Sequence, residues 1–230
     1  MFIGHFAAAL AGKRADTHVS LGTLFLSVQF LDLLWPVFLL LGWEHVRINP
    51  GHKNVPLEFT HYPYTHSLLA ALIWSVLFGL LYWGRHRGRG GAALLLGAGV
   101  LSHWLLDLIV HRPDLPLAPG IATPRLGLGL WNWPAVTLAL EVPLYLIGAA
   151  LYLRATRPRD AVGRWGLWSL LLLLFVIHVG NLFGPPPPSA QAVAVVSLSV
   201  WLFVTWAYWV DRHREPYAPA SSSVPPTRAR

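Results

Sequence analysis

His103 and Asp107 stand four residues apart in Ser102-His103-Trp104-Leu105-Leu106-Asp107, within an apolar run from Gly91 to Val110. On a helix, that spacing stacks the two side chains on one face. An ionisable group at membrane depth costs several kcal/mol unless something pairs with it, so two on one face mark a candidate site rather than packing. Imidazole plus carboxylate is the chemistry of metal ligation. Asp32, in Phe30-Leu31-Asp32-Leu33-Leu34-Trp35-Pro36, and His66, at the head of another apolar run, extend the set. Two imidazoles and two carboxylates suit a divalent ion, zinc first and manganese second, and offset its charge where the dielectric is low. The chain has no cysteine, which removes thiolate zinc sites, disulfides and thiol nucleophiles.

Further candidates surround this set. Glu141, between Pro134 and Pro143, is an additional ligand or a proton acceptor. His61 sits where it could orient His66 or hold a substrate, and His111, with Asp114, follows the His103 run directly. His178 and Asn181 share a helix face, for which hydrogen bonding between helices is the default expectation. Ser67 and Ser102 neighbour histidines in sequence but project about 100° away from them on a helix, so they are not nucleophiles of a serine triad. Glycine-rich phosphate loops are absent, since Gly88, Gly90 and Gly91 lie in an arginine-rich turn.

The elements that must position these groups are membrane spans. Of the 230 residues, 55% are hydrophobic and 12% charged, about half the charged share of an ordinary soluble domain. The apolar residues fall in long runs, so the expected class is an all-α polytopic membrane protein, a bundle of six spans with a short apolar segment at the N-terminus. The spans are expected at about 21–43, 66–84, 91–110, 127–152, 165–184 and 191–210, forming one domain over 1–210, with prolines kinking the fourth. Between them lie loops at 44–65, 84–90, 111–126 and 153–164, then Pro185–Pro188. A polar segment, 211–230, is expected as a disordered cytoplasmic tail. The first residues lack a basic leader and a small-residue cleavage site, so no cleavable signal is expected.

Net charge is +7, and the placement of the basic residues gives the topology. One side collects thirteen: Lys13, Arg14, Arg85, Arg87, Arg89, Arg154, Arg157, Arg159, Arg164, Arg212, Arg214, Arg228 and Arg230. The other holds four: Arg47, Lys53, Arg112 and Arg125. The positive-inside bias then puts both termini in the cytoplasm. The partner it implies is a lipid bilayer, and no nucleic acid is expected. Trp43, Trp83, Trp131, Trp165 and Trp209 fall near span ends, as an interfacial belt requires.

The segments His61-Tyr62-Pro63-Tyr64-Thr65-His66-Ser67-Leu68 and Ser102-His103-Trp104-Leu105-Leu106-Asp107 also carry a resemblance. The order Gly-His, aspartate at a helix end, Thr-His-Ser and Ser-His-x-x-x-Asp resembles the membrane-bound metal-dependent hydrolases, also described as LexA-binding, inner-membrane-associated hydrolases. Gly4-His5 matches the first element, and Asp32 one aspartate of a Pro-Asp-x-Asp whose proline and other aspartate are missing here. The resemblance covers about residues 1–120. A more distant likeness is to zinc-dependent phospholipase C. Together they imply an inner-membrane location, a zinc held by His66, His103 and Asp107, and Asp32 beside it as general base. They also imply His5 on a second zinc bridged by Asp107, although residues 2–11 are too short to span and His5 must re-enter the bundle to reach the site.

The functional expectation is a membrane-embedded metal-dependent hydrolase of a lipid-borne ester or phosphoester, with metal-activated water as nucleophile, Asp32 as its base and His61 on the leaving group. Two other classes compete. An ion or proton transporter would use Asp32, His103, Asp107 and Glu141 as a relay, and a membrane scaffold or regulator would keep them for packing alone.

Overall fold

The computed structural model describes residues 1–52, 54–120 and 124–217. Ten helices run in chain order through these residues. The first three are α1 (Ile3–Ala15), α2 (Leu21–Val28) and α3 (Phe30–Leu40). After them come α4 (Pro63–His66), α5 (Leu68–Arg85), α6 (Gly90–Val110) and α7 (Pro134–Ala155). The last are α8 (Ala161–Phe183), α9 (Ala190–Ser197) and α10 (Val200–Arg212). Among the described residues, α5, α6, α7, α8 and the α9–α10 segment are each long and apolar enough to cross a membrane, and α2 with α3 makes a sixth crossing if the bent pair is one span. The chain is an all-α polytopic membrane protein.

Several helix starts follow from capping. Ser20, Ser67, Asp160 and Ser189 each accept, through the side chain, a backbone N–H three residues on, satisfying donors that the first helical turn leaves open. The Asp160 cap is why α8 begins at Ala161 rather than at the expected 165. The expected span over 21–43 is bent: α2 and α3 meet at 54°. Gln29, at φ −100° and ψ 6°, leaves the helical region between them. This bend turns Asp32 and Trp35 towards the interior cavity and leaves the Val28 carbonyl facing α6.

The N-terminal segment resolves the difficulty over His5. It forms α1, about 20 Å long at a rise of 1.5 Å per residue, and it lies inside the bundle against α7, α2 and α6. Lys13 anchors its far end by donating to Asp211 Oδ2 at 2.9 Å and to the Val19 carbonyl at 2.9 Å. Arg89 pairs with Asp16 nearby at 2.9 Å. From that basic end the helix climbs inward, so that Met1 and His5 are buried at the level of Asp107. Gly148 on α7 permits the approach: a Cβ there would lie 2.6 Å from the Ala7 carbonyl oxygen and 2.8 Å from its Cα. The middle of the bundle is filled by Phe6, Leu10, Leu24, Phe25, Leu96, Leu174 and Phe203, all buried.

Three expectations about connecting segments need correction. Residues 44–65 are not a plain loop but carry the hairpin β1 (His45–Ile48) and β2 (Leu57–His61). Residues 111–126 include the pair β3 (Leu115–Pro116) and β4 (Arg125–Leu126). Disorder from 211 onward is also wrong as far as 217, because α10 runs to Arg212 and β6 (Arg214–Pro216) pairs with β5 (Thr156–Pro158). The Arg214 guanidinium fixes that end, donating to the Thr156 and Gly163 carbonyls at 3.0 and 2.7 Å. The rest of the expected tail, 218–230 with Arg228 and Arg230, lies outside the described residues, as does Lys53. Of the five belt tryptophans, Trp43, Trp83, Trp165 and Trp209 are exposed, as the belt requires. Trp131 is buried, its ring tilted against that of His111 with centroids 4.1 Å apart.

Candidate metal centre

Asp107 is the hub of the site. Its carboxylate lies at the C-terminal end of α6 and is 2% exposed. One oxygen is 3.1 Å from His5 Nε2 and accepts from the amine of Met1; the other is 3.3 Å from His103 Nε2 and 3.7 Å from both His66 Nε2 and His111 Nε2. Asp32 closes the opposite side, its Oδ1 3.4 Å from His66 Nε2 and 3.6 Å from His103 Nε2. Its side chain is 30% exposed and is the most open member of the cluster. Within this cluster, His5, His103 and Asp107 form one triad with ligand atoms inside 4.8 Å of one another, and Asp32, His66 and His103 form another.

The partners on the far side of each imidazole decide which nitrogen is free. His103 Nδ1 is 2.7 Å from the Val28 carbonyl, which can only accept, so Nδ1 carries the hydrogen. His66 Nδ1 is 2.7 Å from Thr65 Oγ1, and Thr65 in turn donates to Glu44 Oε2 at 2.7 Å. Since the hydroxyl hydrogen is committed to the carboxylate, His66 Nδ1 is again the donor. His111 Nδ1 donates to Asp114 Oδ1 at 2.9 Å, and Tyr62 donates to the same oxygen at 2.7 Å. Three imidazoles are therefore set with Nε2 lone pairs turned inward on two carboxylates. Outer hydrogen bonds of this kind fix the tautomer of metal-binding histidines.

Neutral imidazole lone pairs facing carboxylate oxygens repel one another, and His103 Nε2 and His5 Nδ1 are both buried without a hydrogen-bond partner among the described residues. A divalent ion facing the Nε2 atoms would relieve the repulsion and take up His103 Nε2, and the donor set fits one: imidazole nitrogen and carboxylate oxygen with no sulfur. His5 and His103 stack in parallel with centroids 3.7 Å apart, so α1 brings its imidazole edge-on to the same centre.

Outside the membrane-spanning segments, burial and charge tune the supports. Burial raises the Glu44 carboxyl above its ordinary value against the pull of His66 and Thr65. Burial, then the Asp114 carboxylate, pushes the Tyr62 hydroxyl well above the phenol range and keeps it a donor. Burial also lowers His111 from its ordinary value, which favours a neutral, lone-pair-bearing ring. Breaking the Glu44–Thr65–His66 chain with Thr65→Val is expected to weaken metal affinity by about 10- to 100-fold while the fold persists. Equilibrium dialysis against buffered zinc measures this, and unchanged affinity would show that the relay does not orient His66.

The structure thus brings together His5, Asp32, His66, His103 and Asp107, and adds His111. Glu141 lies at the edge of the same site, buried on α7, its Oε2 accepting from the backbone N–H groups of Phe2 and Gly4 at 3.0 and 3.2 Å. His61 is not brought to it. At the end of β2 it is exposed, with its ring beside those of His45 and Tyr64; regular alternation would put it on the face of Phe59 two residues earlier, but the register shift in the hairpin between His45 and Val46 interrupts that alternation. His178 departs from its default reading too: its Nδ1 is 3.9 Å from Glu141 Oε2, and it lines the cavity instead of bonding a neighbouring helix. Sequence reasoning missed Glu44, Thr65, Tyr62 and Trp35. Only the spacing of Asp114 to His111 and the Thr-His pair gave any signal for the outer ring of partners.

The cluster forms the floor of a cavity of about 370 Å³. Asp32, His66, Asp107 and His111 supply its polar wall, and Leu182, Pro185, Val193 and Val196 an apolar one. Set against known proteins, the chain matches no family model, no curated protein and no solved structure.

Proposed function

We propose that this protein is a membrane-embedded, metal-dependent hydrolase of a lipid-borne ester or phosphoester. The observation that carries the reading is the inward convergence of Nε2 atoms from His66, His103 and His111 on Asp107 and Asp32 at the floor of a cavity. His66, His103, Asp107 and His5 would hold a zinc or manganese ion, with His111 as a further ligand. A bound ion of this kind supplies Lewis acidity and makes water acidic enough to act as a nucleophile near neutral pH. Asp32, partly open to the cavity, would take a proton from water. Glu141 is the second proton-handling group, held facing the cavity by the α1 backbone.

The bundle interior favours a site over a conducting path. Below the cluster, the apolar layer of Phe6, Leu10, Phe25, Leu96 and Phe203 separates it from the Lys13–Asp211 pair at the basic end. We further propose an inner-membrane location with that basic end in the cytoplasm, from the thirteen-to-four charge bias.

The test uses detergent-purified full-length chain with its metal content measured. Turnover of a water-soluble phosphodiester, a carboxylic ester and a phospholipid is expected to include at least one substrate cleaved, abolished by chelation and restored by zinc or manganese. Metal-loaded protein that cleaves none of the three, yet supports Glu141-dependent ion flux in proteoliposomes, would replace this reading by the transporter.

A further inference from the structure

Two buried polar atoms in the cavity are not used by the metal cluster. Trp35 is 6% exposed, and its indole Nε1, which can only donate, has no acceptor among the described residues. His178 is 2% exposed, and its Nε2 is likewise without a partner. Both residues line the cavity, and the Trp35 ring stands edge-on to His66 with centroids 6.4 Å apart. A buried donor left open beside a metal-binding floor is a place for an oxygen of something that enters.

The other wall has the opposite character. Leu182 at the end of α8 and Val193 and Val196 on α9 continue the cavity without a charged group. Val196 is 69% exposed and Val195 beside it 54% exposed, on a segment apolar enough to lie in a membrane. Exposed apolar side chains at that depth face lipid hydrocarbon, so this wall runs from the polar floor to the acyl region without crossing water. The turn between α8 and α9 is Gly184 and Pro185–Pro188, four prolines that restrict the backbone and hold the mouth in one shape.

We infer that the cavity binds a single-chain amphiphile head-first: Trp35 donates to an oxygen of its phosphoester head, and its hydrocarbon chain leaves sideways along Leu182, Val193 and Val196 into the bilayer. The phosphoester identity of the head rests on the hydrolase reading; the chain site does not. Trp35 is then a positioning residue for the head, and α9 sets the chain specificity.

The experiment measures binding, by native mass spectrometry and competition, of hexadecylphosphonate and methylphosphonate to zinc-loaded full-length protein. Wild type is expected to bind the long-chain probe at least about tenfold more tightly, since a chain of that length removes much apolar surface from micelle competition and orders the head at the floor. Val193→Trp and the lipid-facing Val196→Trp, two independent ways to fill the arm, are expected to erase that preference while leaving methylphosphonate binding unchanged. Trp35→Phe keeps an aromatic side chain but removes the N–H donor with the five-membered ring, and is expected to weaken both probes about tenfold. Equal binding of the two phosphonates by wild type, or a preference unmoved in both folded tryptophan variants, overturns the chain site. Unchanged binding in Trp35→Phe overturns the head contact. Long-chain binding as expected, with no turnover of any ester or phosphoester, overturns the hydrolase reading and leaves the chain site standing.

Discussion

Asp107→Asn is expected to produce a folded protein that binds zinc more than about 100-fold more weakly than wild type. The side chain keeps its size, but the amide carries no charge and presents one oxygen in place of two. Losing a support behind a ligand typically weakens a site by about 10- to 100-fold, and Asp107 is nearer the centre than any support. Four histidines from α1, α4, α6 and the turn after α6 converge on it, at 3.1 to 3.7 Å. Those rings can stay neutral once the carboxylate is gone, but the buried Met1 amine loses its ion-pair partner, so the thermal midpoint of the metal-free variant is expected below that of metal-free wild type. Metal content by mass spectrometry, alongside chelator-sensitive turnover, reads the result. Wild-type zinc content and turnover in Asp107→Asn would remove Asp107 from the centre and leave its histidine contacts structural.

Gly148→Leu is expected to damage the same site from the opposite side of α7. Backbone of α1 occupies the space a Cβ would need, with the Ala7 carbonyl oxygen at 2.6 Å, and no rotamer relieves such a clash. Helix α1 must move outward, at a stability loss of about 1–3 kcal/mol for overpacking. His5, two residues before Ala7, moves with it, while Phe2 and Gly4 lose their hold on Glu141. The variant should therefore show both a lowered thermal midpoint in detergent and a zinc affinity reduced to that of His5→Ala. Gly84→Leu is the control, since nothing lies within 4 Å of a Cβ at Gly84. A wild-type midpoint and affinity for Gly148→Leu would mean that α1 does not depend on this approach and that His5 adds nothing to binding.

The sequence by itself determined the class and named many members of the candidate site. Long apolar runs with 12% charged residues leave few alternatives to membrane helices, because every backbone polar group in hydrocarbon must be satisfied within its own segment. Intramembrane cost likewise made Asp32, His103, Asp107 and Glu141 conspicuous, and four-residue periodicity put two of them on one face.

Only the tertiary structure decided what these residues meet. The bend at Gln29 has no proline or glycine to announce it, yet it frees the Val28 carbonyl that fixes the His103 tautomer. Helix α1 is too short to span and too apolar to float, and its place inside the bundle depends on an absent Cβ 141 residues away from Ala7. Glu44 and Asp114 sit in loops where an acid is usually solvated, and became supports because the hairpin and the strand pair fold back over the site. His61 and His111 looked alike as loop histidines; a register shift at the end of the hairpin left one exposed, and a helix end kept the other over Asp107. Local residue type and period fix which helices form and which groups are costly to bury. The coincidence of four separate segments at one carboxylate is a property of packing, to which no local pattern in the chain corresponds.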